Sequence, residues 1–165
     1  VNGLGHRLVG ASCALGVAQV AHATVPQALA LTAGAVAFSA GSHLSPDMDG
    51  HGIRHEMFGH RGLLHWWGLP AVVAGAMAWR AVPLLWWGPV IGWSSHIFPA
   101  DFVFGKMGFG IPRGVPLWPG RYGYRLGFGL RVTGRFTNHS VLESLATVLV
   151  ALVLVIQIRS FTIDV

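Results

Sequence analysis

Charge is scarce in this 165-residue chain, with Asp, Glu, Lys and Arg making up 10% of it against about 25% in soluble domains. That shortage, beside 53% hydrophobic residues and a mean hydropathy of +0.56, excludes a disordered chain and predicts a membrane domain over a water-soluble globule. Cysteine is nearly absent. The single Cys13 excludes an internal disulfide and any multi-thiolate zinc or iron–sulfur site, and among small apolar residues it reads as a buried structural thiol. Acidic residues are also few, six against eleven basic ones, for a net charge of +5.

What the sequence has in quantity is apolar runs. A helix needs about 20 mostly apolar residues to span a bilayer. Five stretches approach that length: Leu8 to Ala23, Val25 to Leu44, Leu63 to Trp79, Val82 to Phe98 and Val141 to Ile158. The expected fold class is all-α, a polytopic membrane helical bundle of about five transmembrane helices forming one domain over 1–165. Pro70 is expected to bend the third span, and Pro83 suits a first turn. Gly10, Ala14 and Ala18, and then Gly34, Ala37 and Gly41, form small-residue seams for close helix approach. Trp66, Trp67, Trp79, Trp86 and Trp87 fit interfacial anchors. The Gly- and Pro-rich stretch Gly105 to Gly134 is expected to be an ordered interfacial loop and a candidate lid.

Arg7, the apolar run after it and Ala21-His22-Ala23 also have the form of a signal peptide, but cleavage there would discard His6. With five spans, the N-terminus and the segments 45–62 and 99–140 share one side. That side carries Arg7, Arg54, Arg61, Lys106, Arg113, Arg121, Arg125, Arg131 and Arg135, against Arg80 and Arg159 on the other. The positive-inside rule places the richer side in the cytoplasm, which predicts a multi-pass membrane protein with a cytoplasmic N-terminus.

The polar residues gather at the ends of the apolar runs. His6 precedes the first; His43, Asp47 and Asp49 close the second; His60 and His65 open the third; His96 and Asp101 close the fourth; His139 and Glu143 open the fifth. All fall on the expected cytoplasmic face. Ionisable groups beside hydrocarbon persist when paired, ligated or facing water. Imidazoles with carboxylates and no thiolate suit zinc, manganese or iron. Simpler readings stand beside this one. His22, on the opposite face, reads as a hydrogen-bonded or snorkelling residue, and His51 and His55 as solvated loop residues. Asp47 and Asp49 could end a helix in a Pro-Asp turn, Arg61 could pair with a carboxylate, and His139 with Glu143 could form a one-turn side-chain pair.

Four ordered motifs carry a resemblance. His6-Arg7-Leu8-Val9-Gly10, Ser45-Pro46-Asp47-Met48-Asp49, His60-Arg61-Gly62-Leu63-Leu64-His65, and Ser95-His96 followed by Asp101 resemble those of the bacterial inner-membrane metal-dependent hydrolase family associated with SOS regulation. Gly114-Val115-Pro116-Leu117-Trp118-Pro119 is similar to another element of that family. The resemblance implies a multi-span helical protein with a hydrolase site, and candidate metal ligands at His6, Asp47, Asp49, His60, His65, His96 and Asp101. The ligand order also resembles, remotely, that of zinc phospholipase C and the P1-type nucleases, whose final His and acidic ligands His139 and Glu143 would match. Three features depart from the family pattern. Gly50 stands where the family has a His, Leu64 and Trp66 flank His65 in place of hydroxyl residues, and His96 and Asp101 are five apart. On a regular helix that last spacing separates side chains by roughly 140°, so the helix must end or distort there for both to reach one centre.

The expected activity is hydrolysis of a phosphoester at the cytoplasmic membrane face by a divalent metal centre, most simply zinc, with manganese or iron as alternatives. Asp47 or Asp49 would position or deprotonate water, and Arg61 would stabilise developing negative charge. The expected partners are the lipid bilayer and a phosphoester or lipid-linked substrate drawn by the basic segment Lys106 to Arg135, with nucleic acid a further candidate. The alternatives from other classes are a non-catalytic metal carrier or sensor, and a structural, partner-binding membrane protein.

Overall fold

A computed structural model of the protein describes residues 3–40, 63–98, 108–109, 115–116, 124–126, 149–150 and 152–159. Helix α1 spans Gly3–Val20 and α2 spans Val25–Ser39. A 3₁₀ turn at Leu63–His65 leads into α3, Gly68–Trp79. A second 3₁₀ turn at Leu84–Trp87 leads into α4, Gly88–Ser95, whose backbone continues in π geometry over 96–98. The backbone is helical again at 149–150 and 152–159.

Local chemistry sets these boundaries. At the start of α2 the Gln27 side-chain oxygen accepts from the Thr24 backbone N–H at 2.9 Å and from its hydroxyl at 3.2 Å, with Pro26 in the first turn. That pairing satisfies donors a helix start otherwise leaves open. The helix stops at Ser39 because Ala40 is extended, at φ −168° and ψ 154°. Helices α1 and α3 end alike. Ala23 N–H reaches the Ala18 carbonyl and His22 N–H that of Gln19; Val82 N–H reaches Met77 and Ala81 N–H reaches Ala78. These are Schellman closures, which place one residue in the left-handed region. Here that residue is His22, at φ 50°, and Ala81, at φ 48°.

Helix α2 packs against both α1 and α4 and is the middle element of the described helices. Its buried face is Ala28, Leu31, Ala35 and Ser39, at three- and four-residue spacing. Ala14, Leu15 and Ala18 of α1 meet it, and Leu84, Trp87, Ile91 and Leu154 pack around the edge. The contacts are close enough to need glycine. A Cβ at Gly88 would stand 2.6 Å from the Leu31 carbonyl oxygen, one at Gly10 would stand 2.9 Å from Ser39 Cβ, and one at Gly92 would collide with the Ala35 carbonyl. Gln157 fastens the last described helical stretch to α1, accepting from Ser12 Oγ at 2.9 Å and donating to the Ser12 carbonyl at 3.2 Å.

The transmembrane bundle is corrected by this arrangement. Among the described residues no helix is long and apolar enough to cross a membrane. The second, third and fourth apolar runs are longer than the helices they form. At 1.5 Å per residue, α2, α3 and α4 reach about 22, 18 and 12 Å against a hydrocarbon core of about 30 Å. Helix α1 reaches about 27 Å, but it carries His6, Arg7, Ser12 and Gln19. The third run is divided between a 3₁₀ turn and α3, so Pro70 falls in the first turn of a helix and bends nothing. The fourth run is divided at Gly88, with Pro83 just before the 3₁₀ turn. The fifth falls partly outside the described residues. The multi-pass inner-membrane placement, with its cytoplasmic N-terminus and site, rested on those spans and is corrected with them.

The Gly- and Pro-rich stretch, expected to be loop, contains strand. β1 (Gly108–Phe109), β2 (Val115–Pro116) and β3 (Tyr124–Leu126) form a three-stranded antiparallel sheet in the order β1-β3-β2. Gly108 pairs with Arg125 and Phe109 with Tyr124, while Val115 pairs with Leu126 and Pro116 with Arg125. Pro116 is tolerated because β2 is an edge strand.

Candidate functional site

Three of the expected site residues come together, His6, His65 and His96, and all three are buried. They arrive from separate elements. His6 lies in the first turns of α1, His65 ends the 3₁₀ turn before α3, and His96 caps α4 where the helix passes into π geometry. The backbone leaves α geometry at His96 itself, and Asp101 lies outside the described residues. π geometry is rare in helices and is frequently found at functional sites.

The geometry fixes the chemistry of the His96 ring. Its Nδ1 is hydrogen-bonded to the Ser39 backbone carbonyl. A carbonyl only accepts, so Nδ1 carries the proton and donates, and the neutral ring has its lone pair on Nε2. That nitrogen lies 3.2 Å from His65 Nε2, with the two rings edge to face at 5.1 Å between centroids. His6 stacks face to face on His96, at 4.1 Å and 15°. Ser39, the last residue of α2, is held in turn against Gly10 of α1. The Leu64 carbonyl accepts from Trp93 Nε1 at 2.7 Å, which fixes the turn that carries His65.

The pair fits an ion. Two imidazole nitrogens at about 2.0–2.1 Å from a tetrahedral metal stand about 3.3–3.4 Å apart, close to the observed 3.2 Å. The bond from the far nitrogen of His96 to a backbone carbonyl is the partnership that ligating histidines use to fix tautomer and ring orientation. The full ligand set is another matter. Among the described residues no group of three or more His, Cys, Asp or Glu could hold a metal ion. Among the described residues the expected metal-binding cluster is corrected to the pair His65 and His96, because the His6 ring meets His96 through its face; Asp47, Asp49, His60, Asp101, His139 and Glu143 lie outside the described residues. Arg61, His43, His51 and His55 lie outside them too. His22 is exposed at the other end of α1.

Two participants escaped the sequence reading. The Ser39 carbonyl has no side-chain signature. Trp93 had one, a position three residues before His96 and so on the same helix face. Among the aromatic residues read as membrane anchors, Trp87 instead donates from its indole to the Val82 carbonyl at 3.1 Å, closing the connection between α3 and α4. Comparison with protein-family models, with characterised proteins and with solved structures gives no match for the chain.

Proposed function

We propose that the chain is a metal-dependent hydrolase of phosphoesters, with His65 and His96 as two donors of its centre. The observation that carries this reading is the buried Nε2 pair at 3.2 Å, one member of which has its tautomer set by the Ser39 carbonyl. The order of motifs in the sequence supports it, since the chain between Ala40 and Leu63 contains Asp47, Asp49, His60 and Arg61, and Asp101 follows His96 by five residues. In this proposal those carboxylates and His60 complete the ligand set. When bound, a divalent ion would acidify water and polarise a phosphoryl oxygen. Asp47 or Asp49 positions the attacking water and takes its proton, Arg61 balances charge on the phosphoryl oxygens, and His6 covers one face of the His96 ring and keeps water from it.

Elemental analysis of purified protein tests the centre, with wild type beside a His65→Ala, His96→Ala double variant. We expect at least one equivalent of zinc, manganese or iron in the wild type, its loss in the variant, and metal-dependent turnover of bis(4-nitrophenyl) phosphate by the wild type alone. A wild type that binds no metal after supplementation at neutral pH would refute the proposal.

A further inference from the structure

Helix α4 touches the site twice. His96 holds the carbonyl of Ser39, where α2 ends, and Trp93, on the same face three residues earlier, holds the carbonyl of Leu64. Leu64 is the residue before His65, inside a three-residue turn. Its carbonyl belongs to the peptide plane that leads directly into His65. The 2.7 Å bond therefore ties the backbone on which the His65 ring hangs to the same helix that carries His96. Both rings are then referred to one rigid element.

We infer that Trp93 is a positioning residue for the candidate centre, its indole N–H setting the His65 Nε2 to His96 Nε2 separation through the Leu64 carbonyl. This inference rests on the proposed metal-dependent reading. The Trp93 N–H is spent on the Leu64 carbonyl, so its action is on distance and angle and leaves the identity of the donors unchanged. A donor pair held about 1 Å too loose binds a metal poorly, which is why partners behind the ligands matter. Loss of such partners costs about 10- to 100-fold in metal affinity.

The test uses Co²⁺ as a spectroscopic probe on the full chain, comparing wild type, Trp93→Phe and a variant with 3-benzothienylalanine at position 93. The last keeps the bicyclic ring and lacks the N–H, so it isolates the hydrogen bond from the packing and serves if the phenylalanine variant does not fold. We expect both to bind Co²⁺ about tenfold more weakly or worse, with altered ligand-field bands. We also expect the ¹⁵N imidazole resonances of His65 to shift in the metal-free protein while thermal stability is retained in the benzothienyl variant. Unchanged affinity, bands and His65 resonances in that variant would overturn the role of Trp93 and leave the metal centre standing. A wild type that takes up no Co²⁺ while its His65 resonances still respond to the substitution would instead overturn the metal reading and keep the positioning role.

Discussion

Leu31 is the largest apolar side chain wholly buried within α2, and it lies in a core otherwise built mainly from alanines. Its truncation leaves a cavity that the neighbouring Ala14, Ala18 and Ala35 are too short to fill. We expect Leu31→Ala to cost about 3 kcal/mol, measured by denaturant unfolding; a change below about 1 kcal/mol would show that the helices collapse into the space. Cys13 gives a second test at this scale. Burial pushes its thiol above the ordinary range, so the folded protein retains that proton where the unfolded chain has lost it. Above the ordinary thiol pKa the native state thus binds more protons, and stability falls as pH rises. Cys13→Ser should flatten that alkaline limb of the stability profile. Cys13 is half-buried, not the fully buried thiol its apolar neighbours suggested, so iodoacetamide should label the native thiol more slowly than the denatured one, and equal labelling rates would contradict that partial burial.

At the scale of the elements, the closures of α1 and α3 put non-glycine residues where a left-handed backbone is required. Ala81 pays for this with Cβ crowding, in a chain that has 23 glycines elsewhere. Ala81→Gly is expected to raise stability by about 1 kcal/mol, because the strain relieved at φ 48° exceeds the entropy glycine adds to the unfolded chain. A lower melting temperature would show that the Ala81 methyl does more packing than its exposed position suggests. The elements also show what the sequence disclosed. Three histidines were recognisable because imidazoles are rare in apolar runs, and each of His6, His65 and His96 marked a place where such a run begins or ends. The lengths of the helices were not recognisable from hydropathy. Apolar runs continue straight through residues 66–67, which separate a 3₁₀ turn from α3, and through Gly88, where 3₁₀ geometry gives way to α, and hydropathy registers neither change. Likewise the Ser39 carbonyl is common to every residue type, so only the fold could show that His96 holds it.

Over the whole molecule, composition misled because hydrophobic content and core are different things. Among the described residues the core is small and dominated by Ala, while Val20, Trp79, Val72 and Ile156 are exposed. A bilayer was the simplest explanation for so many apolar residues in the sequence, and the helices among the described residues are too short or too polar for it. The close approach of α2 to α1 and α4 has a consequence for how this chain can vary. Where Gly88 and Gly92 meet the carbonyls of Leu31 and Ala35, the frame that carries the histidines is set by main-chain atoms in direct apposition, and at Gly10 it is set by the Ser39 side chain seated on bare backbone. Substitutions among the exposed apolar residues leave that frame untouched. A single methyl at Gly92 drives α4 away from α2 and parts His96 from the Ser39 carbonyl, so a mutational scan should find the site guarded as strictly by residues without side chains as by the imidazoles themselves.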